Sequence, residues 1–229
     1  MAKRFLDIVL GGLLGILTLP VTGIAAIAVR LSDGKPVFYR PQRSGRNGEQ
    51  FTLHKFRTMR VRPAHGSAIT SVDDDRIFRV GQLLRSFKID ELPQLYDVVR
   101  GRMSIVGPRP EDPDIVERYY TAEDRTTLSV RPGLLGPGSI WNYTHGEALL
   151  AGDPDPEQAY VRSLLPVKLA LDRVYLRRAS IGYDISLMAR TARVIVLIAL
   201  GRRDFPPPPE MDEAMALLRD REGDYGPRP

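Results

Sequence analysis

The sequence contains no cysteine among its 229 residues, and this absence excludes disulfide bonds, thiolate catalysis and zinc sites with cysteine ligands. The composition therefore fits a reducing compartment. Histidine is scarce too, and the three histidines, His54, His65 and His145, lack the spacing of metal ligands, so we predict that they are incidental. A chain of this length has room for one domain with a real core and short appendages.

Positively charged residues only slightly outnumber negatively charged ones. The sequence has 33 lysine and arginine residues against 28 aspartate and glutamate residues, which gives a formal net charge of +5. Such an excess favours an anionic partner: phospholipid headgroups, phosphorylated small molecules or nucleic acid. We expect no nucleic-acid partner, because the sequence has no recognition-helix pattern, no RNP-like strand and no zinc spacing.

Charged side chains are missing from Ile8 to Val29, a run of 22 residues. A straight helix of that length is about 33 Å long, enough to cross the hydrocarbon core of a bilayer. A secretory signal peptide is one alternative, although its apolar core is usually shorter, about 7–15 residues. Basic residues flank both ends of the run, and basic residues mark the cytoplasmic side. A re-entrant helix, which enters and leaves on one side, satisfies both ends, and we favour it.

Pro20 lies near the middle of this run, where it removes a backbone hydrogen bond and bends a helix. We expect the hydroxyls of Thr18 and Thr22 to bond carbonyls near the break. A kinked single span is the remaining alternative. Gly11 and Gly15 form a small-xxx-small pair, a spacing found in helix dimers, so a homodimer also stays open.

The rest of the chain has the pattern of a mostly helical α+β domain. Asn47-Gly48 between two alternating segments predicts a β-hairpin. Residues 61–75 and the turn-rich residues 131–138 are predicted as loops. Val194 to Leu200 is too short to span a bilayer, so it either lies along a membrane surface or packs in the core. Apolar spacing predicts helices over residues 76–87, 91–100, 112–128, 166–200 with a break near residues 180–182, and 210–219.

Two adjacent carboxylates, Asp90 and Glu91, are the most informative polar residues. Aspartate is a preferred N-cap, and Pro93 is tolerated in a first helical turn. We therefore predict this carboxylate pair at the N-terminus of helix 91–100, where backbone N–H groups and the helix dipole attract phosphate. The same field keeps a carboxylate ionised and able to act as a nucleophile. The alternative is a plain helix cap without chemistry.

Several cations accompany the carboxylate pair in sequence. Arg85 lies one turn upstream, and Arg109 stands between two prolines that stiffen its backbone. A rigidly held arginine forks onto a phosphate at little entropic cost. Lys55 and Arg57 add two more cations near apolar residues. Each of these side chains alone is equally consistent with a solvated surface charge.

Three motifs occur in an order that resembles the bacterial sugar transferase family, the monotopic phosphoglycosyl transferases. They are residues 55–59 (KFRTM), 90–95 (DELPQL) and 103–110 (MSIVGPRP), and the resemblance covers roughly residues 3–200. It implies the minimal single-domain form and a monotopic membrane protein, mostly helical α+β, with interfacial amphipathic helices and a small β-hairpin. The implied segments are 1–31, the re-entrant helix; 32–203, the cytoplasmic catalytic domain; and 204–229, a proline-rich tail.

The resemblance also implies a reaction. The family transfers a sugar 1-phosphate from a UDP-sugar to a polyprenyl phosphate such as undecaprenyl phosphate and releases UMP. By resemblance, Asp90 is the nucleophile that forms a phosphosugar intermediate, and Glu91 is its acid/base partner. Mg²⁺ is implied beside Asp90, since one carboxylate plus substrate phosphates suits that ion. Arg85 and Arg109 match positions that hold phosphate, and we add Lys55 and Arg57 to this set.

The implied location is the cytoplasmic face of a bacterial inner membrane, in contact with lipid, at the first membrane step of polysaccharide or glycoconjugate assembly. A non-catalytic membrane adaptor that binds anionic lipids or proteins is the alternative. Two positions depart from the family pattern: Leu19 stands before Pro20, where a small polar residue is common, and Lys88 is unexpectedly basic. Residues 112–150 are the least typical and are candidates for sugar choice; they include Trp141, Asn142, Tyr143 and His145.

Overall fold

The computed structural model describes residues 1–60, 76–150 and 155–219, so the predicted loop 61–75 and the end of the tail lie outside it. Helices dominate, and the strands are few and short, as predicted. The helices are α1 Ala2–Leu17, α2 Leu19–Asp33, α3 Arg79–Ser86, α4 Gln94–Arg100, α5 Pro113–Tyr119, α6 Pro137–Leu150, α7 Pro156–Ala159, α8 Leu165–Arg178, α9 Ile181–Ala199 and α10 Met211–Arg219. The strands are β1 Phe38–Tyr39, β2 Gln42–Ser44, β3 Gln50–Thr52, β4 Lys55–Phe56, β5 Ser104–Val106 and β6 Gly133–Leu135.

The strands form three two-stranded sheets within the described residues. β1 pairs with β4 and β2 with β3, both antiparallel, whereas β5 and β6 are parallel. The predicted hairpin is the β2–β3 pair. Asn47 and Gly48 in its turn have φ angles of 58° and 80°, a conformation that these two residue types tolerate. The β5–β6 pair was not foreseen, because three-residue strands carry too little alternation to be recognised.

A bend of 59° separates α1 from α2. No single helix of the described chain is long and apolar enough to cross a membrane, whereas the bent pair α1–α2 meets both criteria together. The predicted break beside Pro20 is thus confirmed. The hydroxyl of Thr18 donates to the carbonyl of Leu14 at 2.7 Å, and that of Thr22 to the carbonyl of Leu19 at 2.9 Å, so both threonines bond carbonyls as expected.

The start of α1 is bound to the rest of the domain. Arg4 donates to the carbonyls of Val98 and Val99, at 2.6 and 2.8 Å, and so satisfies carbonyls at the C-terminus of α4. Lys3 forms an ion pair with Asp184 of α9, at 2.5 Å. These two basic residues, which the sequence offers as markers of membrane side, therefore also serve as structural contacts.

Asp7 continues this attachment one turn later. Its side chain is buried and accepts hydrogen bonds from the Ser104 hydroxyl and the Ile105 backbone N–H of β5, both at 2.9 Å. Gly11 then approaches α4 closely, since a Cβ there would lie 3.1 Å from Val98. One glycine of the small-xxx-small pair is therefore used for packing inside the chain.

The end of the bent pair is also fixed to the domain. Ala25 and Val29 of α2 are buried against Phe56, Phe78 and Leu84, which belong to β4 and the α3 region. Because α1 begins on β5 and α4 and α2 ends against β4 and α3, both ends of the bent pair contact the same body of protein.

The remaining helices form the body behind these elements. The predicted break near residue 180 separates α8 from α9, where the Ser180 side chain caps α9 by accepting from the Tyr183 N–H at 3.2 Å. Val194 is buried while Val196 is exposed, so α9 has one face in the core and one outside. In the C-terminal segment, α10 packs its Ala214 and Leu217 against α8.

Candidate active site

The carboxylate pair lies in a short 3₁₀ helix, Ile89–Glu91, one turn before α4. Pro93 occupies the N-cap position of α4, so the alternative that Asp90 is a plain cap of this helix is wrong. Lys88, directly before the pair, has a φ of 56°, a left-handed conformation that is uncommon outside glycine. This turn brings both acidic side chains into the protein interior.

Asp90 is 3% exposed, and its Oδ1 atom has no hydrogen-bond partner within the described structure. Buried carboxylate oxygens are almost always paired, so an orphaned one marks a place for a ligand. The nearest cation is Lys55, whose Nζ lies 3.7 Å from Oδ2. Burial raises the pKa of Asp90, and the opposing charges of Lys55, Lys88 and Arg85 only partly offset that effect.

Glu91 has a different environment, because both of its oxygens accept hydrogen bonds. Arg109 donates to both of its oxygens, Nη1 to Oε2 at 3.1 Å and Nη2 to Oε1 at 2.7 Å. Burial favours a raised pKa for Glu91, but the charge and hydrogen bonds of Arg109 outweigh it and hold the pKa at about 2. Glu91 is therefore ionised and paired, whereas Asp90 is buried with one oxygen unused.

Tyr143 of α6 completes this group of side chains. Its hydroxyl accepts from Arg109 Nη1 at 3.0 Å and donates to Glu91 Oε2 at 3.3 Å. The Nζ of Lys88 lies 3.9 Å from the centre of its ring, which explains the unexpected basic residue before the pair as a cation–π partner. The sequence pointed to Tyr143 only as one of several atypical residues, not as a neighbour of the pair.

The structure brings three of the four predicted phosphate-binding cations to the pair: Lys55, Arg85 and Arg109 all act electrostatically on Asp90 or Glu91. The side chain of Arg85 forms no ion pair or hydrogen bond with another described residue. The helix that carries Arg85, α3, lies very close to the segment after β4. A Cβ added at Gly81 of this helix would lie 2.2 Å from the carbonyl oxygen of Thr58.

The fourth cation, Arg57, is placed elsewhere. It is 5% exposed and donates to Asp33, Gly34 and Pro36, three residues at and just after the end of α2. Four of its hydrogen bonds go to these partners, and none goes to the carboxylate pair. Its position suits fastening α2 to the domain rather than holding a substrate.

Asp172 of α8 was not singled out from the sequence. It is buried, and its Oδ1 accepts from the Gly138 backbone N–H at 3.3 Å, at the start of α6. Burial raises the pKa of Asp172 to about 7, although nearby Lys168 and hydrogen bonds from the backbone of Gly138 and Arg109 oppose the shift. Asp172 therefore links the backbone of Arg109 to the helix that carries Tyr143.

An apolar cavity of about 730 Å³ adjoins this site, between α1, α2 and α4. Leu92 and Pro93, the two residues after the carboxylate pair, form part of its wall. His54 also lies in the wall, and its Nδ1 is 2.9 Å from Asp97 Oδ1. The sequence did not indicate this cavity, because its walls come from three segments far apart in the chain.

No group of three or more histidine, cysteine or acidic side chains suitable for a metal ion occurs in the described residues. A site built on one protein carboxylate plus substrate phosphates is nevertheless consistent with the orphaned Oδ1 of Asp90. The residues present therefore fit Mg²⁺ only as an ion that the substrate helps to hold.

Comparison with known proteins finds relatives that match most of the chain. The chain is 36% identical over 194 residues to the UDP-glucose:undecaprenyl-phosphate glucose-1-phosphate transferase of Caulobacter vibrioides, covering 82% of this chain and 67% of that protein. It is 33% identical over 208 residues to the galactosyl transferase CpsE of Streptococcus agalactiae, covering 86% of this chain and 42% of that protein. With the exopolysaccharide production protein ExoY of Rhizobium meliloti it shares 32% identity over 213 residues, 86% of both chains.

These matches span most of this chain, yet the chain spans less than half the length of some of these relatives, such as CpsE. The sequence model described as bacterial sugar transferase matches residues 1–197, which include the bent helix pair, the carboxylate pair and Arg109. The chain therefore belongs to the bacterial sugar transferase family.

Proposed function

We propose that this protein is a phosphoglycosyl transferase that moves a sugar 1-phosphate from a UDP-sugar to a polyprenyl phosphate such as undecaprenyl phosphate. The products are a polyprenyl-diphospho-sugar and UMP. The observation that carries the proposal is the buried Asp90 with an unpaired oxygen, surrounded by Lys55, Lys88, Arg85 and the Arg109–Glu91 pair. The names of several relatives, which include undecaprenyl-phosphate sugar phosphotransferases, support it.

The reaction proceeds in two displacements. A carboxylate oxygen of Asp90 attacks the phosphorus that bears the sugar, and the bond from this phosphorus to the bridging oxygen of the diphosphate breaks, so UMP leaves with that oxygen. A phosphate oxygen of the polyprenyl phosphate then attacks the same phosphorus, and the bond to Asp90 breaks. This restores the carboxylate and lets a soluble donor and a lipid acceptor use one site in turn.

The cations stabilise the transferring group. Phosphoryl transfer spreads negative charge over the phosphate oxygens, and fixed cations lower its barrier without reorganising. Lys55, Arg85 and Lys88 supply positive charge around Asp90. An incoming phosphate competes with Glu91 for Arg109, which frees Glu91 to serve as the acid/base partner of the acceptor.

Mg²⁺ is the proposed cofactor, and Asp90 is the side chain that would hold it. When bound, the ion neutralises phosphate charge and orients the donor diphosphate. Asp90 would supply one carboxylate oxygen to the ion, and the substrate phosphates and water would supply the others.

We propose that α1–α2 is a re-entrant membrane segment in a bacterial inner membrane and that the catalytic body lies at the cytoplasmic face. The bent pair exposes a long series of apolar side chains, and exposed apolar surface of this extent suits contact with lipid. Phe5, Ile16, Ile24 and Leu31 are each more than 60% exposed. The contacts of both ends of the pair with the same body support entry and exit on one side.

The covalent intermediate gives the direct test. The purified full-length chain, incubated with a UDP-sugar labelled in the sugar and with no acceptor, should release UMP and carry the label on Asp90. Asp90→Asn should abolish both signals, whereas the matched control Asp114→Asn, at an exposed position on α5, should keep them. UMP release by the Asp90→Asn variant would refute the mechanism. If the protein were a non-catalytic adaptor, both variants would bind membranes as well as the wild type does, and none of the three proteins would release UMP.

A further inference from the structure

The cavity between α1, α2 and α4 has an unusual wall. Three glycines of the bent pair, Gly12, Gly15 and Gly23, line it, and a Cβ added to any of them would meet nothing within 4 Å. Glycine in a helix interior costs about 1 kcal/mol relative to alanine. Close packing accounts for Gly11, which touches Val98, but not for these three, whose shared property is that they leave space.

Two walls of the cavity are formed by residues that adjoin the candidate active site in the chain. On one wall, Leu92 and Pro93 follow Asp90 and Glu91 directly in the chain. On the other, His54 and Phe56 flank Lys55, whose Nζ is 3.7 Å from Asp90. Neither Asp90 nor Lys55 lines the cavity itself, but residues adjacent to each of them in the chain do, so this end of the cavity lies close to the carboxylate pair.

The cavity is apolar apart from a few groups. The hydroxyls of Thr18 and Thr22 are used by carbonyls of their own helices. Arg40 is exposed and forms no ion pair or hydrogen bond with another described residue. It directly follows β1, in which Tyr39 pairs with Lys55 of β4, so its backbone lies next to the strand that carries Lys55. This arrangement suits a ligand with an apolar body and an anionic end.

From these observations we infer that the glycine-lined cavity holds the first isoprene units of the polyprenyl phosphate acceptor and directs its phosphate toward Lys55 and Asp90. The inference rests on the proposed function and adds the location of the acceptor. A volume of about 730 Å³ is typical of a small-molecule pocket and holds only part of a long chain, so the remainder extends into the bilayer. A UDP-sugar is excluded from this cavity, because its polar groups would lack partners there.

Filling the cavity tests the inference. Gly15→Leu adds an apolar side chain to the wall, and Gly182→Leu adds the same side chain to an exposed position of α9 with nothing within 4 Å of its Cβ. We expect Gly15→Leu to raise the KM for undecaprenyl phosphate at least about tenfold, since a leucine side chain displaces several buried methylene groups of the ligand. Gly182→Leu should leave this KM unchanged.

The donor half-reaction separates this inference from the proposed function. UMP release without acceptor, measured in a single turnover, should be the same for wild type, Gly15→Leu and Gly182→Leu. Gly12→Leu, on the same wall, replaces Gly15→Leu if thermal unfolding shows that the latter is not folded. A wild-type chain that releases no UMP without acceptor would count against the proposed mechanism itself.

Two outcomes would overturn the inference alone. An unchanged KM for undecaprenyl phosphate in both cavity variants, with normal UMP release, would exclude the cavity as the acceptor site. If the KM were unchanged but the cavity variants floated less well with vesicles of phosphatidylethanolamine and phosphatidylglycerol, the cavity would be a site for bilayer lipid rather than for the acceptor.

Discussion

Arg109 donates to both carboxylate oxygens of Glu91, at 3.1 and 2.7 Å, whereas Oδ1 of the adjacent Asp90 has no hydrogen-bond partner among the described residues. Two neighbouring acids thus have opposite pKa shifts: burial dominates at Asp90 and raises its pKa, whereas the guanidinium overcomes burial at Glu91 and lowers its pKa. Adjacent residues with divergent environments are well suited to different roles in one reaction.

The two hydrogen bonds from the Arg109 guanidinium to Glu91 should be essential for activity. Arg109→Lys keeps the charge but loses the two parallel hydrogen bonds to Glu91, so we expect UMP release to fall about 100-fold. Arg118→Lys is the matched control, because the Arg118–Glu157 pair, at 3.0 Å, is exposed and contributes at most about 1 kcal/mol. Equal activity of the two variants would show that Arg109 acts only as a point charge.

The Tyr143 hydroxyl should position Arg109 and Glu91. Tyr143→Phe keeps the ring beneath Lys88 and removes the bridge, so we expect kcat/KM for the donor to fall about 3- to 10-fold, as for the loss of one hydrogen bond. Tyr143→Leu also removes the cation–π contact with Lys88, so it should lower kcat/KM for the donor further. Tyr39→Phe, at a side chain that is 49% exposed, is the control. If Tyr143→Phe kept the wild-type kcat/KM, the Tyr143 hydroxyl would have no role in the reaction.

Asp172 should make stability depend on pH. The pKa of this acid is raised to about 7 in the folded protein, so its contribution to stability is fully present below its unfolded pKa and is lost as pH rises through 7. Asp172→Asn removes this dependence, and its free energy of unfolding should rise relative to wild type by up to about 1.4 kcal/mol per pH unit between pH 5 and 7. Urea unfolding of both proteins at several pH values measures the difference.

A constant difference between the two proteins across that range would contradict the prediction. The charged groups nearby that matter are Lys168 and Glu111, which form a buried ion pair at 2.5 Å and are the same in both proteins. Their own titration therefore cancels in the comparison.

The re-entrant topology is testable because the chain has no native cysteine. Single cysteines at Ala2 and Ser32, both exposed, should react with a membrane-impermeant maleimide from the same side as a reference cysteine at Glu117 of the catalytic body. The reason is that Arg4 and Asp33 bind this body at the two ends of the bent pair. Labelling of Ala2 and Ser32 from opposite faces of oriented inner-membrane vesicles would instead mean a full span.

Local signals in the sequence sufficed for several features. Pro20 predicts the bend between α1 and α2, Asn47-Gly48 predicts the hairpin, and Ser180 marks the break between α8 and α9. These signals act over a few residues, because proline, glycine and capping side chains restrict the backbone where they stand. The carboxylate pair and its cations were found through motifs.

Long-range features escaped the same reasoning. β5 and β6 pair where Gly107 and Gly133 approach so closely that a Cβ at Gly133 would lie 2.0 Å from the Gly107 nitrogen, a contact between residues far apart in the chain. Tyr143 reaches Glu91 across 52 residues of sequence, and no periodicity reports such a contact. Arg57 stands within a motif, but its partners are mainly backbone carbonyls near the end of α2, which a pattern of residue types does not reveal.

The hydrogen bonds of Arg4 to the last carbonyls of α4, and those of Asp7 to β5, tie α1 to the helix that follows the carboxylate pair and to β5. Residues 1–31 are therefore not an interchangeable tether. A foreign hydrophobic anchor fused at residue 32 would deliver the protein to a bilayer but leave α4 uncapped and one side of the apolar cavity missing. Chimaeras and truncations designed for solubility should accordingly retain these residues.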